Sequence, residues 1–544
     1  MQHTAIIDRS LSANQAPELP DFDFSTSDHS EEDQPNTMQV APVSTSLLRA
    51  VSSILQWSTH FGVSDTGTSK LFRILHKSFA IADGSNDSIT SIPTSLDKAI
   101  AMVNTMKQPK VSELLVCPEC LSVYGDWHEM QVSHCIHVAA PFHTQCSRRG
   151  TCGANLYRSG AVRRPILVYP YISIVESLKA FLAQPGFSNA CRLIASESSQ
   201  ESIMSPSDLF CGIYDGSVRQ EFVTINGKPF LGESSPAQLN LALQLNVDWF
   251  QPFKHTKYSV GAIYVTILNL PRHMRYKVVN TILVGIILGP CEPSLHINSY
   301  LSPLVLELLQ LWEGIQCTQL MGPHGSVQPL TLRAALLSVV CDIPGLAKVA
   351  GYLGHNARLG CTKCLKPFPT AHFGEKPDLS GFNRDQWPKR DTPTHRQLAN
   401  QYKALPNRSQ QKAFESEHGL RYSELLQLPY FDITRFCVVD PIHNLFEGSA
   451  RHFMDLILEK GLLARNALAV VKQRIVAIKS PYDVGRLPLK VASKFAGFKA
   501  DQWRNWIIMF SELLSKVCCL HPIIIAGRSM SELANSMCSC YYKE

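Results

Sequence analysis

Leu241-Ala-Leu-Gln-Leu-Asn-Val-Asp248 alternates apolar and polar residues and delivers an aspartate at its end, the pattern of a β-strand with one face in a core. Working outward, Val260–Leu270 (VGAIYVTILNL) is rich in β-branched residues and predicts a second strand. Thr281–Leu288 (TILVGIIL), bounded by Gly289-Pro290, predicts a third, apolar on both faces. Asn298–Trp312 then places Leu301, Leu304, Val305, Leu308, Leu309 and Trp312 on one helical stripe, with Asn298 or Ser299 as its cap. Leu332–Cys341 (LRAALLSVVC), strand or helix by pattern, presents Asp342 ahead of Ile343-Pro344-Gly345. The order strand, strand, strand, helix, strand predicts a mixed α/β domain with Asp248 and Asp342 at two element ends. Aspartates there are commonly turn or cap residues. Two on neighbouring strands can also share Mg(II), whose hard charge selects oxygen ligands.

The whole chain has 544 residues, 45% hydrophobic and 18% charged, which excludes a wholly disordered or fibrous protein and calls for several folding units. Its longest apolar runs, Val278–Pro290 and Val517–Gly527, are shorter than the roughly 20 residues needed to cross a bilayer. With no basic, apolar leader at the start, a soluble intracellular protein without a membrane partner is expected. The net charge of +6 is uneven: residues 1–40 hold eight acids and one base, so the remainder carries +13. An acidic tail ahead of a basic body suits binding to polyanions, or simply a solubilised, mildly basic enzyme. We expect an acidic disordered tail (1–46), short helices and a linker (47–107), a cysteine-rich module (108–195), the α/β core (208–365), a polar insertion (366–420), a helical region (421–526) and an irregular tail (527–544).

Seventeen cysteines in a reducing compartment point to metal more than to disulfides. Cys117-Pro-Glu-Cys120 is followed by Cys135, His137, Cys146 and Cys152. The tight two-residue loop presents two thiolates together, as tetrahedral Zn(II) requires. The second pair is Cys135 with Cys152, or includes His137 or Cys146. A second pair, Cys361-Thr-Lys-Cys364, lies 19 residues beyond Asp342 and needs two further ligands, with His443 a candidate. Cys341, Asp342 and His355 would also suit a thiol hydrolase, but nothing in the sequence supplies an oxyanion hole.

Several blocks together resemble the CACTA-type (En/Spm-like) transposase family of plant and fungal DNA transposons. They are Asn246-Val-Asp248-Trp-Phe-Gln-Pro-Phe253, Tyr258–Tyr264, Asn269-Leu-Pro-Arg272, Gly285–Pro290, Cys341-Asp342-Ile-Pro, Gly354–Cys361-x2-Cys364 and Asp440-Pro-Ile-His-Asn-Leu-Phe446. The Cys117-Pro-Glu-Cys120 segment and Asp208–Gly216 look like the same family, so the resemblance spans about residues 111–520. It implies a ribonuclease H-like mixed-sheet core with an N-terminal zinc-binding module, helical insertions and a helical C-terminal region. It further implies a triad of two aspartates and a glutamate holding Mg2+ or Mn2+, with Asp248 and Asp342 as the first two acids. DNA, both transposon ends and target, would be the substrate, with a homo-oligomer and nuclear residence to match. Cys361 and Cys364 would share a zinc with histidines near the final glutamate.

The chain departs from the family after Trp503–Leu520, where a histidine block and the third acid are expected. Glu447, Glu512, Glu532 and Glu544 are available, but none has the expected surroundings. A C-terminally truncated copy with impaired strand transfer is the expectation. The alternative is a non-catalytic relic that binds DNA or protein. Basic residues expected to meet phosphates are Arg272, Arg275 and Lys277, and in the insertion Lys389, Arg390, Arg396, Lys403 and Arg408, each otherwise a solvated surface charge.

Overall fold

The computed structural model describes most of residues 65–82, 92–99, 109–137, 151–192, 213–321, 326–367 and 386–511, with a few positions between 50 and 58. The chain divides into Met1–Val103 and Asn104–Glu544. In the first unit, helix α1 (Asp65–Ala82) lies in the stretch expected to hold short helices, and Phe72 packs in a small cluster with Val51 and Ala99.

The second unit is built on a nine-stranded sheet. Its strands are β1 (Val111–Val116), β2 (Val123–Asp126), β3 (Leu167–Ile172), β4 (Gln238–Phe250), β5 (Val260–Ile267), β6 (Thr281–Ile287), β7 (Ile315–Met321), β8 (Ser326–Cys341) and β9 (Cys437–Val439). The order is β2-β1-β3-β6-β5-β4-β8-β7, with β9 also on β8. Strands β6, β5 and β4 are antiparallel neighbours, whereas β4, β8 and β9 run parallel. Antiparallel β7 takes the first half of the β8 edge, residues 326–332, and parallel β9 takes its end, residues 339–341. The cysteine-rich module joins the same sheet through β3, whose Tyr171 pairs with Gly285 of β6.

Periodicity located these strands because β4, β5 and β6 bury both faces or alternate cleanly. Leu332–Cys341, ambiguous by pattern, is strand: β4 supplies a parallel partner along its length, from Thr331 opposite Gln238 to Val339 opposite Leu245. Five strands escaped the sequence reading, three of them β1, β2 and β3 of the cysteine-rich module. β7 lies between the expected helix and β8, and β9 lies in a region expected to be helical.

In chain order the larger helices of this unit are α2 (Ile174–Leu182), α3 (Ile297–Glu313), α4 (Ile343–Val349), α5 (Thr392–Ala404) and α6 (Arg408–His418). Of the expected stripe, α3 buries Leu301, Leu304, Val305, Leu308 and Trp312, with Leu309 half-buried beside them. Its cap position is His296, not Asn298. The Asn298 side chain instead accepts from Glu424 N and donates to Tyr422 O, tying the helix start to a distant loop. The half-buried Glu307 of α3 accepts from Ile174 N and Val175 N, at 2.7 and 3.2 Å, and so holds the first turn of α2.

Part of the region read as a polar insertion is helical. Asp391 accepts from Thr394 N at 2.8 Å to start α5, and Asn407 accepts from Gln410 N at 3.0 Å to start α6. α6 ends at Gly419, whose φ of +67° closes the helix in the left-handed region. After β9, a wide π-helical segment (Ile442–Ala450) continues as α7 (Arg451–Glu459), followed by α8 (Ala467–Ala477) and α9 (Ala500–Asn505). Their apolar faces form a separate cluster around Met454, Val471, Phe495, Trp503 and Trp506.

Candidate functional site

Two sites emerge, one of sulfur and one of oxygen. Cys117 follows β1 directly and Cys120 closes the tight turn before β2. Cys117 N donates to Ser122 O, Leu121 N donates to Cys117 O, and Leu121 takes a positive φ of 55° to complete the turn. Cys135 and Cys152 come from the next loop, latched by Cys135 N donating to Ala154 O and Cys152 N donating to His137 O. All four thiols are buried, and their sulfurs lie within 4.8 Å of one another. The Cys117–Cys152 and Cys120–Cys135 sulfur distances are 3.8 and 3.5 Å. A tetrahedron with metal–sulfur bonds of about 2.3 Å has edges of about 3.8 Å, so the four can hold a metal such as zinc. Of the alternatives, Cys135 and Cys152 are the pair brought to Cys117 and Cys120; Cys146 lies outside the described residues. His137 stays a neighbour: its bond to Cys120 raises its pKa against the opposing effect of burial. The contact between Cys117 and Cys120 holds a proton on Cys117 and favours the thiolate on Cys120.

The oxygen site lies at the C-terminal ends of the parallel strands. Asp248 lies within β4, opposite Ala262, because β4 runs two residues further than the alternation suggested. Its carboxylate is exposed. On the same face Tyr264 has a raised pKa, from burial first and from the Asp248 charge second. Asp342 follows β8 directly and caps α4: its Oδ1 accepts from Gly345 N at 2.7 Å. A Cβ on Gly345 would stand 2.6 Å from that oxygen and 3.3 Å from the Trp249 ring, so the close turn requires glycine. Trp249, on the opposite face of β4 from Asp248, therefore packs the start of α4 against the strand that carries Asp248.

A third acid, quoted above within Asp440–Phe446 but not read as a ligand, follows β9. Val439 pairs with Cys341 in parallel register, so Asp440 ends its strand beside Asp342. Asp440 accepts from Ile442 N at 2.9 Å and bonds His443 Nδ1. Burial opposes charge on His443, but its bond to Asp440 and the nearby Glu447 and Asp342 carboxylates raise its pKa overall. The Cys341 thiol registers all three strand-end acids. Burial pushes it up to about 12, partly offset by the Val247 N–H, and the Asp342, Asp248 and Asp440 charges add to the rise. A buried thiol held protonated is no nucleophile, which argues against the thiol hydrolase. His355 of that arrangement lies outside the described residues. The signal that could have found Asp440 is short: Cys437-Val-Val439, three strand-forming residues before Asp-Pro.

The acids meet by strand end rather than by preformed oxygens. Among the described residues, the four cysteines are the group of three or more metal-ligating side chains within 4.8 Å. Cys361 and Cys364 sit instead beside Arg390, which donates to Cys361 O at 2.9 Å. His443 bonds Asp440 rather than either of them. Glu512, Glu532 and Glu544 lie outside the described residues, while Glu447 acts on His443.

Most of the expected phosphate-binding residues serve the fold. Arg275 is buried and donates to Leu270 O, and the stretch 272–277 follows β5, at the opposite end of the sheet from Asp248. Arg390 donates to the carbonyls of Leu359 and Cys361, and Arg396 to those of Leu426, Leu428 and Phe431. Arg408 pairs with Glu415, and Lys403 lies over the Tyr422 ring.

Residues 228–400 match the family model described as Transposase family tnp2. That stretch begins just before β4, ends within α5 and carries both Asp248 and Asp342. It supports a transposon-derived protein. No curated protein matches the chain. No helix among the described residues is long and apolar enough to cross a membrane.

Proposed function

We propose that this protein is a DNA transposase of the CACTA type, cutting and joining DNA with Mg2+ or Mn2+ held by Asp248 and Asp342, with Asp440 as the third carboxylate. One observation carries the reading: within the stretch similar to tnp2 transposases, Asp248 and Asp342 take equivalent places on adjacent parallel strands. The strand order β6-β5-β4-β8-β9, antiparallel then parallel, suits a ribonuclease H-like core. The donors fit hard cations, being carboxylates alone at the open ends of a sheet. When bound, such ions activate a water or 3′-hydroxyl and stabilise the departing oxygen at a phosphodiester.

The chain's own residues set the stage for that chemistry. Asp248 faces solvent, where substrate enters. Asp342 is aimed by the α4 backbone through one oxygen, which leaves the other for a ligand. Asp440 is oriented by Ile442 N and His443. The four-cysteine site would hold structural Zn2+ and fix the β1–β2 hairpin, while Cys361 and Cys364 would contribute to a second zinc. Transposon-end and target DNA would be the partners, a homo-oligomer the working form and the nucleus its location.

A second reading, a relic without catalysis that binds DNA or protein, is favoured by one observation: the three aspartates do not bring their oxygens within 4.8 Å of one another. A nicking assay on a transposon-end duplex with Mg2+ or Mn2+ separates the two. Metal-dependent nicking that Asp248→Ala abolishes supports the transposase. DNA binding with no nicking by the wild-type chain leaves the relic.

A further inference from the structure

The β4–β5 hairpin continues past Asp248 into an exposed tip, Trp249-Phe-Gln-Pro-Phe-Lys-His-Thr-Lys-Tyr-Ser259. Phe250 and Phe253 are 47% and 56% exposed, too much for side chains that serve the core. Phe250 lies two residues beyond Asp248 and therefore on the same face of β4, about 7 Å along the strand. The Phe253 ring is steadied edge-on against Tyr258, at 5.6 Å between centroids. Tyr258 in turn packs on Gly289, where a Cβ would come within 2.9 Å of its ring, and Ser259 N donates to Pro290 O at 3.0 Å. The tip is thus anchored at its base while its rings face outward.

Its charge has one sign. Lys254, His255 and Lys257 are exposed, and no acid occurs between Trp249 and Ser259. Asp248 directly precedes the tip, and at its base Glu292 accepts from Ser259 Oγ and is paired with Lys348, whose Nζ also lies 4.5 Å from the Trp249 ring centroid. Flat apolar rings interleaved with cations match an unpaired nucleic-acid strand, with bases to stack and phosphates to neutralise. A duplex offers its phosphates but keeps its base faces stacked inside. A protein partner for the rings would be expected to bring acids to meet the lysines, whereas DNA already carries them.

We propose that this hairpin tip grips unpaired DNA beside the aspartates, with bases stacking on Phe250 and Phe253 and phosphates meeting Lys254 and Lys257. The proposal deepens the transposase reading, since it places the strand next to the proposed cutting site, but the grip itself needs no metal. The test is fluorescence anisotropy of a labelled oligothymidylate, and of a duplex of equal length, with the full chain as purified in buffer free of Mg2+ and Mn2+. The double variant Phe250→Ala/Phe253→Ala is expected to lose about tenfold or more in single-strand affinity and to keep duplex affinity within about threefold. Lys254→Ala/Lys257→Ala is expected to reduce the slope of log affinity against log salt by about 1.4. All four side chains are exposed, so both variants should melt like the wild type. Single-strand binding by the phenylalanine variant within about twofold of wild type overturns the proposal. So does a change in sedimentation without a change in DNA affinity, which would mean that the rings meet a second copy. Because Mg2+ and Mn2+ are left out, failure here leaves the nicking assay untouched, and failure to nick leaves this measurement untouched.

Discussion

Asp342 has two jobs in this reading, and one pair of variants separates them. Its Oδ1 caps α4 through Gly345 N at 2.7 Å, and its charge would hold metal. Asparagine caps a helix about as well as aspartate, whereas alanine leaves the N–H without that partner. Asp342→Asn should therefore keep stability within a few tenths of a kcal/mol, and Asp342→Ala should lose about 1 kcal/mol. Nicking behaves differently, because both variants remove the anion. Loss of several kcal/mol of metal-borne charge stabilisation corresponds to a fall of about 100-fold or more in either one. Urea unfolding followed by tryptophan fluorescence reads the first quantity, with Trp249 against the first turn of α4 contributing to the signal. Nicking of a transposon-end duplex with Mn2+ reads the second. Near-wild-type nicking by Asp342→Asn, or equal destabilisation by the two variants, refutes the division of labour.

The remaining predictions concern stability. His395 is 2% exposed and neither ring nitrogen has a hydrogen-bond partner, so burial, with the Arg390 and Arg396 charges, lowers its pKa from 6.5 to about 4. The unfolded chain therefore takes up this proton first as pH falls, and stability present above about pH 6.5 drains away down to about pH 4, by up to ~3 kcal/mol. Urea midpoints measured across that window should fall for the wild type and flatten in His395→Leu; parallel curves would sink the assignment. At the sulfur site, purified protein should carry about one tightly held zinc per chain, lost in Cys117→Ser or Cys120→Ser. Folded wild-type protein without zinc by mass spectrometry would remove that site.

The strands β4, β5 and β6, the apolar stripe of α3, the strand-end positions of Asp248 and Asp342 and the cysteine spacing were all legible in the amino-acid order. Each is a local pattern, a period of two or 3.6 or a short loop between ligands, and such patterns follow from the backbone geometry of single elements. What needed the tertiary structure was anything set by a distant partner. Leu332–Cys341 is a strand because β4 lies beside it, and β9 is too short to stand out until β8 supplies its edge. Asp440 then joins the strand-end acids through that pairing alone. The choice of Cys135 with Cys152 over their neighbours depends on a latch made by backbone bonds, and the fate of Arg275, Arg390 and Arg396 on which carbonyls folding leaves in need of donors. Sequence sets what each segment prefers to be. Only the packed chain decides which segments meet, because the energy of a strand edge or a buried cation lies in its partner.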